Sequence, residues 1–323
     1  MMRSWLWVLL SLGMLLPAAG FAASPSQDKV LSPGADLWKE VRGRETAPAT
    51  TQVKGQDTNV LINQWGEKFR DYRRERFVRY AGYLLAGVVV LLLLFHILHG
   101  AIKIQKSGRK ILRFELYDRV AHWLLAVVFL FLAATGLILA FGRFAILPWL
   151  GADAFSILAS ASKEGHNLFG PLFIVALAWV FIRFVARNIP KWMDVVWLVK
   201  GGGILGRAHP SAGFFNGGEK IWFWLLVLGG VLISLSGLAL DFPTFMPGRN
   251  VLVLSLVVHG AGAVLLLAAA FGHIYLALGV QGTLDGMTSG MVDEAWARTH
   301  HDRWAAQVAA SSQAKGTSGA ADS

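Results

Sequence analysis

The chain has 323 residues, of which 55% are hydrophobic and 15% are charged, and its mean hydropathy is +0.51. These values exclude an ordinary water-soluble domain and predict an integral membrane protein. The formal net charge is +10, and the basic residues cluster in short loops, which is typical of a membrane-topology signal and not of nucleic-acid binding. The sequence has no cysteine, which excludes a cysteine-ligated iron–sulfur cluster.

The first 78 residues divide into two predicted segments. Residues 1–22 predict a secretory signal peptide, because Arg3 precedes an apolar run that is followed by Pro17 and small residues. An uncleaved membrane helix is the alternative, although the run is too short to span comfortably. Residues 23–78 predict a polar periplasmic segment that ends in an amphipathic helix on the membrane surface. Its arginines could bind anionic headgroups or a partner, or could form a solvated face.

Five apolar segments follow, and each is long enough to cross a membrane as a helix, so the sequence predicts an all-α integral membrane protein. They lie at about 79–101, 117–141, 156–186, 220–241 and 251–279. The third is the longest, and its lipid-spanning part is expected to begin near His166. Residues 305–323 are rich in Ala, Ser, Gln and Gly, and they are predicted to be a disordered tail.

Loop charges predict the orientation of the chain in the membrane. Most Lys and Arg residues between spans follow the first and the third segments, which places these two loops in the cytoplasm. The mature N-terminus is then periplasmic and the C-terminus cytoplasmic. Five arginines between residues 70 and 79 argue against this orientation, but the signal peptide and the later loops outweigh them.

Two histidines on the last apolar segment give the strongest functional signal. His259 and His273 are fourteen residues apart, which brings both side chains to one face of a helix, separated by about 21 Å along its axis. Because an ionisable or metal-binding side chain within a membrane helix is a functional candidate, two at different depths suggest two stacked cofactors. Histidine is the commonest metal ligand and a common ligand of haem iron.

Depth along the predicted spans pairs these histidines with two others. His122 matches His273 near the cytoplasmic side, and His166 matches His259 near the outer side. Each pair could hold one b-type haem between facing helices, whereas the alternative is that the histidines only hydrogen-bond between helices. Small residues offer close helix approach for such a cofactor: Gly136, Gly170, Gly237, Gly260 and Gly262.

The other histidines near the membrane are predicted to have different roles. His96 and His99 lie at the inner end of the first span and are interpreted as interfacial or partner-facing. His300 and His301 follow the last span, where surface roles are favoured over a part in a cytoplasmic cap or in proton entry.

Seven motifs accompany the four paired histidines: DRVAHW (118–123), GHNLFG (165–170), RFVARNIP (183–190), FNGGEK (215–220), VVHGAG (257–262), HIYLALGVQGTLDGM (273–287) and WARTHHDRW (296–304). Together they resemble the gamma subunit of respiratory formate dehydrogenases, a di-haem b-type cytochrome of the membrane. The motifs occur in the family's order, and they cover roughly residues 113–304. A generic two-haem cytochrome would share the histidines but not the loop motifs.

The resemblance implies a four-helix di-haem cytochrome b bundle over residues 113–304, which includes a cytoplasmic C-terminal segment. One extra N-terminal transmembrane helix, at 79–101, precedes it, as in the longer form of the family. The family pattern implies that an inner haem b is held by His122 and His273 and an outer haem b by His166 and His259. This agrees with the pairing by depth.

The resemblance also implies a pocket for a quinone, menaquinone or ubiquinone, beside the inner haem. The residues that match the family's pocket are Asn216, Gly218, Glu219 and His273. The chain departs from the family at Glu219, where glutamine is usual. A carboxylate there could donate a proton to the reduced quinone, or it could form a surface ion pair, for example with Lys220.

The implied biological role is that of the quinone-reducing, electron-transfer subunit of a formate dehydrogenase complex, distinct from the subunit that oxidises formate. Its expected partners are an iron–sulfur beta subunit, a molybdenum- or tungsten-containing alpha subunit and membrane lipid, and a homo-oligomer of the complex is allowed. Electrons would pass from the periplasmic side, through both haems, to a quinone near the cytoplasmic side of the bacterial inner membrane. Such a complex serves a respiratory chain, typically in anaerobic respiration.

Three other interpretations stay open at this point. The cytochrome b subunit of a nickel–iron hydrogenase, or of a related reductase, would share the histidines but not the loop motifs. A metal transporter with histidine relays would need carboxylates inside the spans, and the clear candidate, Asp241, lies at a helix end. An inert membrane anchor would need none of the four paired histidines.

Overall fold

The computed structural model describes residues 64–203, 210–245 and 248–321, so the predicted signal peptide and most of the polar segment lie outside the described residues. The helices are α1 (Gln64–Tyr72), α2 (Val78–His99), α3 (Leu116–Ala145), α4 (Leu147–Phe184), α5 (Trp192–Val199), α6 (Gly217–Asp241), α7 (Arg249–Gly279), α8 (Thr283–Ser289), α9 (Glu294–His300) and α10 (Asp302–Ala321). The two strands are β1 (Lys110–Leu112) and β2 (Met291–Asp293).

Among the described residues, five helices are long and apolar enough to cross a membrane, which confirms the predicted all-α membrane architecture. The candidate spans are Lys68–His99, Leu116–Ala145, Leu147–Arg187, Gly217–Asp241 and Asn250–Gly279. The first of them begins before the predicted span, because a π-helical turn at Arg73–Phe77 joins α1 to α2 without a break. The amphipathic segment is therefore continuous with the first span.

Helix α4 is longer than the predicted third span. It has 38 residues, but it is not one straight helix, because its backbone departs from helical geometry at Gly151. The added turns precede His166 and bend at Gly151, whose φ of 76° is left-handed. They pack back on α3, where a Cβ on Gly142 would lie 2.7 Å from the ring of Phe155.

The core of the four-helix bundle is formed by α3, α4 and α6. Its buried side chains include Leu125 and Val128 of α3, Leu177 of α4 and Phe223 of α6. Lipid is as apolar as these side chains, so close packing must hold such helices together. Gly230 of α6 permits this packing, since a Cβ there would lie 2.7 Å from Leu177 Cδ2.

Helix α2 is the extra helix, and it packs along α7. Leu85 is 1% exposed and belongs to a buried cluster with Leu267 of α7. At the start of α2, the ring of Phe77 lies against Gly260, where an added Cβ would be 3.2 Å from Phe77 Cζ. Below α2, Ile102 forms a parallel bridge to Val280. The extra helix is thus attached to α7 along its whole length.

A small domain closes the end of the bundle that carries His122 and His273. We call it the cap and define it as residues 100–114 and 280–305. Strands β1 and β2 pair antiparallel in it, with Ile111 opposite Val292. The Asp293 carboxylate accepts hydrogen bonds from the backbone N–H groups of Ser107, Gly108 and Ala295 and from the Ser107 hydroxyl. These bonds outweigh the effect of burial, which raises the pKa of Asp293, and lower that pKa to about 2.

Helix α10 occupies the segment for which composition predicts a disordered tail. Its first turn is anchored in the cap, because Trp304 and Ala305 are buried beside Val292 and Trp296. The structure thus places a helix in the segment for which composition predicts a disordered tail. Composition missed this anchor because two apolar residues next to a polar tail give no periodic signal.

Candidate functional site

The structure brings His166 of α4 and His259 of α7 together, and we call them the outer pair. Their ring centroids are 6.1 Å apart, and the ring planes are inclined at 78°. His259 Nδ1 lies 2.8 Å from the Ile233 carbonyl. A carbonyl can only accept, so Nδ1 of His259 carries the proton and its Nε2 keeps a lone pair for a metal.

A hydroxyl group fixes the other histidine of the outer pair in the same way. Thr135 Oγ1 lies 2.9 Å from His166 Nδ1 and donates its own proton to the Phe131 carbonyl at 2.9 Å. It therefore accepts from His166 Nδ1–H. Ser236 has the equivalent place on α6, with its hydroxyl 3.4 Å from His259 Nδ1 and 2.8 Å from the Leu232 carbonyl.

The glycine after each hydroxyl residue leaves room for the neighbouring imidazole. A Cβ on Gly136 would lie 3.3 Å from His166 Cε1, and one on Gly237 would lie 3.0 Å from His259 Cε1. Of the other glycines singled out in the sequence, Gly260 faces Phe77, and Gly262 faces Ile233. The close approach next to the outer pair thus depends on Gly136 and Gly237.

The structure also brings His122 of α3 and His273 of α7 together, and we call them the inner pair. Their ring centroids are 6.4 Å apart, with the planes inclined at 56°. Trp222 of α6 stacks on His273, with 4.8 Å between centroids and 12° between planes. Trp123 lies edge-on to His122 at 5.2 Å. Within the described residues, His122 Nδ1 is buried and has no hydrogen-bond partner.

The spacing of both pairs fits a haem with two histidine ligands. Metal–imidazole bonds of about 2 Å put each ring centre about 3 Å from the metal, so two rings on opposite sides of one iron are about 6 Å apart. The observed separations are 6.1 and 6.4 Å. No group of three or more His, Cys, Asp or Glu side chains that could hold a metal ion occurs in the described part of the chain.

The predicted pocket residues lie at the N-terminus of α6. Asn216 is the N-cap, and its side chain accepts from Glu219 N–H at 2.9 Å, while the Glu219 carboxylate accepts from Asn216 N–H at 2.8 Å. A Cβ on Gly218 would lie 3.2 Å from the ring of Trp197 on α5. Trp222, three residues after Glu219 on α6, stacks on His273 and so connects this turn to the inner pair.

Glu219 faces a buried cation that the sequence did not reveal. Glu219 Oε1 lies 3.6 Å from the Arg113 guanidinium and 3.7 Å from His301 Nε2. The Arg113 side chain is 2% exposed, and its guanidinium carbon lies 4.8–5.9 Å from the centroids of the aromatic rings that surround it. Those rings belong to Phe114, Phe214, Phe215, Trp296 and Trp304.

Burial governs the protonation of this cluster. Loss of water lowers the pKa of Arg113 to about 10, although Glu219 opposes the shift, so the guanidinium is charged at neutral pH. Burial, aided by the charge of Arg113, lowers the pKa of His301 well below its usual range. His301 is thus neutral, and since its Nδ1 lies 2.9 Å from the Gly213 carbonyl, its Nε2 accepts from Arg113 at 3.2 Å.

Three interpretations from the sequence require correction. Glu219 does not hydrogen-bond to Lys220, whose ammonium group instead binds Asp194 at 2.7 Å. His301 is 1% exposed and is not a surface residue, because the cap encloses it. His96 is turned towards its own chain, with Nδ1 3.5 Å from the Tyr275 hydroxyl, while His99 is exposed and stacks on Phe95.

Comparison with known proteins agrees with this architecture. The family described as prokaryotic cytochrome b561 matches residues 113–290. The cytochrome b556(Fdn) subunit of the nitrate-inducible formate dehydrogenase of Escherichia coli K12 is 32% identical over 214 residues, which are 63% of this chain and 94% of that protein. The cytochrome b556(fdo) subunit of the same strain is 29% identical over 65% of this chain and 99% of that protein. A formate dehydrogenase cytochrome b556 subunit of Haemophilus influenzae is 30% identical over 62% of this chain and 85% of that protein.

The family match covers more than half of the chain, and the chain in turn covers most of each relative. The matched region contains both histidine pairs, α3, α4, α6 and α7. The chain therefore belongs to the prokaryotic cytochrome b561 family, in the group of the formate dehydrogenase cytochrome b556 subunits.

Proposed function

We propose that the chain carries electrons across the membrane in a formate dehydrogenase complex, through two b haems, to a quinone. The outer haem is held by His166 and His259, and the inner haem by His122 and His273. The iron–sulfur subunit of the complex delivers electrons on the periplasmic side, and the quinone is reduced near the cytoplasmic side. The catalytic subunit with its molybdenum or tungsten oxidises formate.

One observation carries this proposal: two facing histidine pairs are stacked along a single membrane helix. Helix α7 supplies one histidine to each pair, and the fourteen residues between them correspond to about 21 Å. The partners come from α4 for the outer pair and from α3 for the inner pair. Two separate sites of matching spacing at two depths are what a transmembrane electron path requires.

The chain contributes ligand geometry and exclusion of water. Bound between a pair, a haem supplies a one-electron carrier whose potential depends on its ligands and on their hydrogen bonds. Thr135 and the Ile233 carbonyl orient the outer imidazoles, and Trp222 orients His273 by stacking. The two buried apolar clusters, formed among α2, α3, α4, α6 and α7, would limit the access of water to haems bound at the two pairs.

The proposed quinone pocket includes Asn216, Gly218, Glu219 and His273. Its support is the resemblance of the FNGGEK turn and the contact between Trp222 and His273, which connects this turn to the inner pair. The Glu219 side chain is 34% exposed, so its carboxylate is open to protons from the cytoplasmic side in the proposed orientation. Its proposed role is to pass a proton to the reduced quinone.

The decisive experiment counts haem per polypeptide by the pyridine haemochrome assay in detergent. Wild type is expected to hold two haems, and His259→Ala and His273→Ala are each expected to retain one. His99→Ala is the matched control, because His99 is exposed in the same membrane region and should leave two haems bound. An unchanged count in His259→Ala and His273→Ala would refute the ligand assignment and favour an inert membrane anchor.

The electron donor can be tested separately in membranes that contain the whole complex. Formate is expected to reduce the b haems in the presence of a quinol-site inhibitor, whereas hydrogen gas is not. Reduction by hydrogen instead would assign the chain to a hydrogenase complex, with the same haem path. The family match at residues 113–290 identifies the cytochrome and does not by itself distinguish between these two electron donors.

A further inference from the structure

The two histidine pairs differ in what their second ring nitrogens contact. In the outer pair, His166 Nδ1–H donates to Thr135 Oγ1, and His259 Nδ1–H donates to the Ile233 carbonyl, with distances of 2.9 and 2.8 Å. In the inner pair, His122 Nδ1 is buried without a hydrogen-bond partner among the residues that the structure describes. The asymmetry lies in the side chains and backbone groups of the protein itself.

The acceptors at the outer pair are well placed to receive hydrogen bonds from the Nδ1–H groups of the two imidazoles. The Thr135 hydroxyl donates its proton to the Phe131 carbonyl, so its lone pairs are available to accept a hydrogen bond from His166. Ser236 adds a second, more distant acceptor at 3.4 Å from His259 Nδ1. Each acceptor is built into α3 or α6, and a glycine follows Thr135 and Ser236 directly, so the imidazole can approach the helix backbone.

The inner imidazoles are held by aromatic rings instead. Trp222 stacks on His273 at 4.8 Å, and Trp123 lies edge-on to His122 at 5.2 Å. Such packing fixes the orientation of a ring without withdrawing the proton from its nitrogen. Among the described residues, His122 is thus oriented without a hydrogen bond at Nδ1, whereas each imidazole of the outer pair is oriented and also donates its Nδ1–H.

An imidazole that donates its second N–H to an acceptor is a more basic metal ligand. A more basic axial ligand stabilises ferric over ferrous haem and therefore lowers the reduction potential, which depends on the axial ligands and their hydrogen bonds. Both outer ligands receive this effect, and His122 does not.

We propose that the hydrogen bonds of Thr135 and the Ile233 carbonyl make the outer haem the lower-potential haem of the two, with Thr135 as a positioning residue for His166. The inference rests on the proposed function, since it needs one haem in each pair. It adds a direction to the haem path: an electron entering at the outer pair moves to a haem that holds it more tightly.

The test is a redox titration of the purified full-length chain, followed in the haem absorption bands, with haem counted in each sample. The His122→Ala variant assigns the waves, because it is expected to retain only the outer haem. Thr135→Val removes the acceptor with little change of shape, and Thr135→Ser retains the hydroxyl as the conservative control. Ser236→Ala is the second control, because His259 keeps its shorter bond to the Ile233 carbonyl.

In wild type, the wave of lower potential is expected to be the one that His122→Ala retains. Thr135→Val should shift the reduction equilibrium of the outer haem about tenfold towards the ferrous state, a rise of ~59 mV for one electron. Thr135→Ser should match wild type, and Ser236→Ala should shift less than Thr135→Val. The low-spin EPR signal of the outer haem should change only in Thr135→Val.

Failure of the inference and failure of the proposed function are distinguishable by the haem count. Two haems in wild type, with the outer one at the higher potential, would overturn the inference and leave the proposed function intact. Two haems with an unshifted outer wave in Thr135→Val would do the same. A wild-type count other than two would overturn the proposed function and the inference with it. If Thr135→Val loses its outer haem, the wave assignment with His122→Ala alone decides the order of potentials.

Discussion

Replacing Arg113 by methionine should destabilise the cap more than any exposed charge change. The substitution keeps an unbranched apolar stem but leaves Glu219 without its nearby cation and the Phe214 carbonyl without its donor at 2.8 Å. Removing one partner of a fully buried ion pair costs about 3–5 kcal/mol. Because the Glu219 side chain is 34% exposed, water compensates part of this loss, and we expect about 2–4 kcal/mol.

The loss can be measured as a shift of the thermal midpoint of the purified chain in detergent. For a chain of this size the unfolding entropy is about 0.7 kcal/mol/K, so 2–4 kcal/mol corresponds to a decrease in Tm of roughly 3–6 °C. Arg109→Ala is the matched control: Arg109 also binds a glutamate across the cap, but its side chain is 67% exposed, and Arg298 keeps that glutamate paired. An exposed pair is worth about 0–1 kcal/mol, so the control should lose less than roughly 2 °C.

A second substitution separates loss of the ion pair from loss of packing. In the double variant Arg113→Met with Glu219→Gln, no uncompensated carboxylate is left, so the combined loss should be smaller than the sum of the single losses. Strict additivity would show that Arg113 acts through its aromatic contacts alone. Equal midpoints for Arg113→Met and Arg109→Ala would refute the reasoning altogether.

Three other perturbations should have distinct effects. Gly237→Ala should displace the imidazole of His259, since the new Cβ would lie 3.0 Å from Cε1, and lower the haem count from two, whereas Gly272→Ala, with nothing within 4 Å, should not. The buried His301 has a pKa well below the usual 6.5, so an unfolded cap binds a proton that the folded cap does not. The contribution of His301 to cap stability is thus complete above about pH 6.5 and decreases as the pH falls. Hydrogen exchange of residues 290–304 should therefore be faster at pH 5.5 than at pH 7.5 after correction for intrinsic rates. An unchanged exchange pattern would contradict this expectation. Asp293→Ala removes the acceptor of four hydrogen bonds, so limited proteolysis should cut residues 101–109 faster than in wild type, with Asp293→Asn between the two.

The helices and both histidine pairs were predictable because local physics determines them. Apolar runs of about 20 residues indicate spans, and helical periodicity puts His259 and His273 on one face. Depth within the spans then selected His166 and His122 as neighbours. The early start of α4 was not predictable from hydropathy, because those turns depend on contacts between distant residues, such as that of Phe155 with Gly142.

The residues that serve the histidines were missed for two different reasons. Thr135 and Ser236 carry a weak signal, the recurring patterns TGLIL at 135–139 and SGLAL at 236–240, which only the contacts with His166 and His259 make meaningful. Arg113 was missed because its partner in the cap, His301, is 188 residues away in the chain, and no local sequence pattern predicts a contact over that separation.

The hydrogen-bond asymmetry has a size that matters for the proposed electron path. The two pairs are about 21 Å apart in a hydrocarbon core of about 30 Å, so an electron passing between them crosses about two thirds of the membrane field. Moving one charge across the whole field costs about 2.3 kcal/mol per 100 mV, which gives about 1.6 kcal/mol for this step. A tenfold difference in reduction equilibrium between the haems supplies about 1.4 kcal/mol. The tenfold shift expected from the Thr135 hydrogen bond alone would thus nearly offset the opposing field at 100 mV, and electrons in the proposed path could continue towards the quinone side.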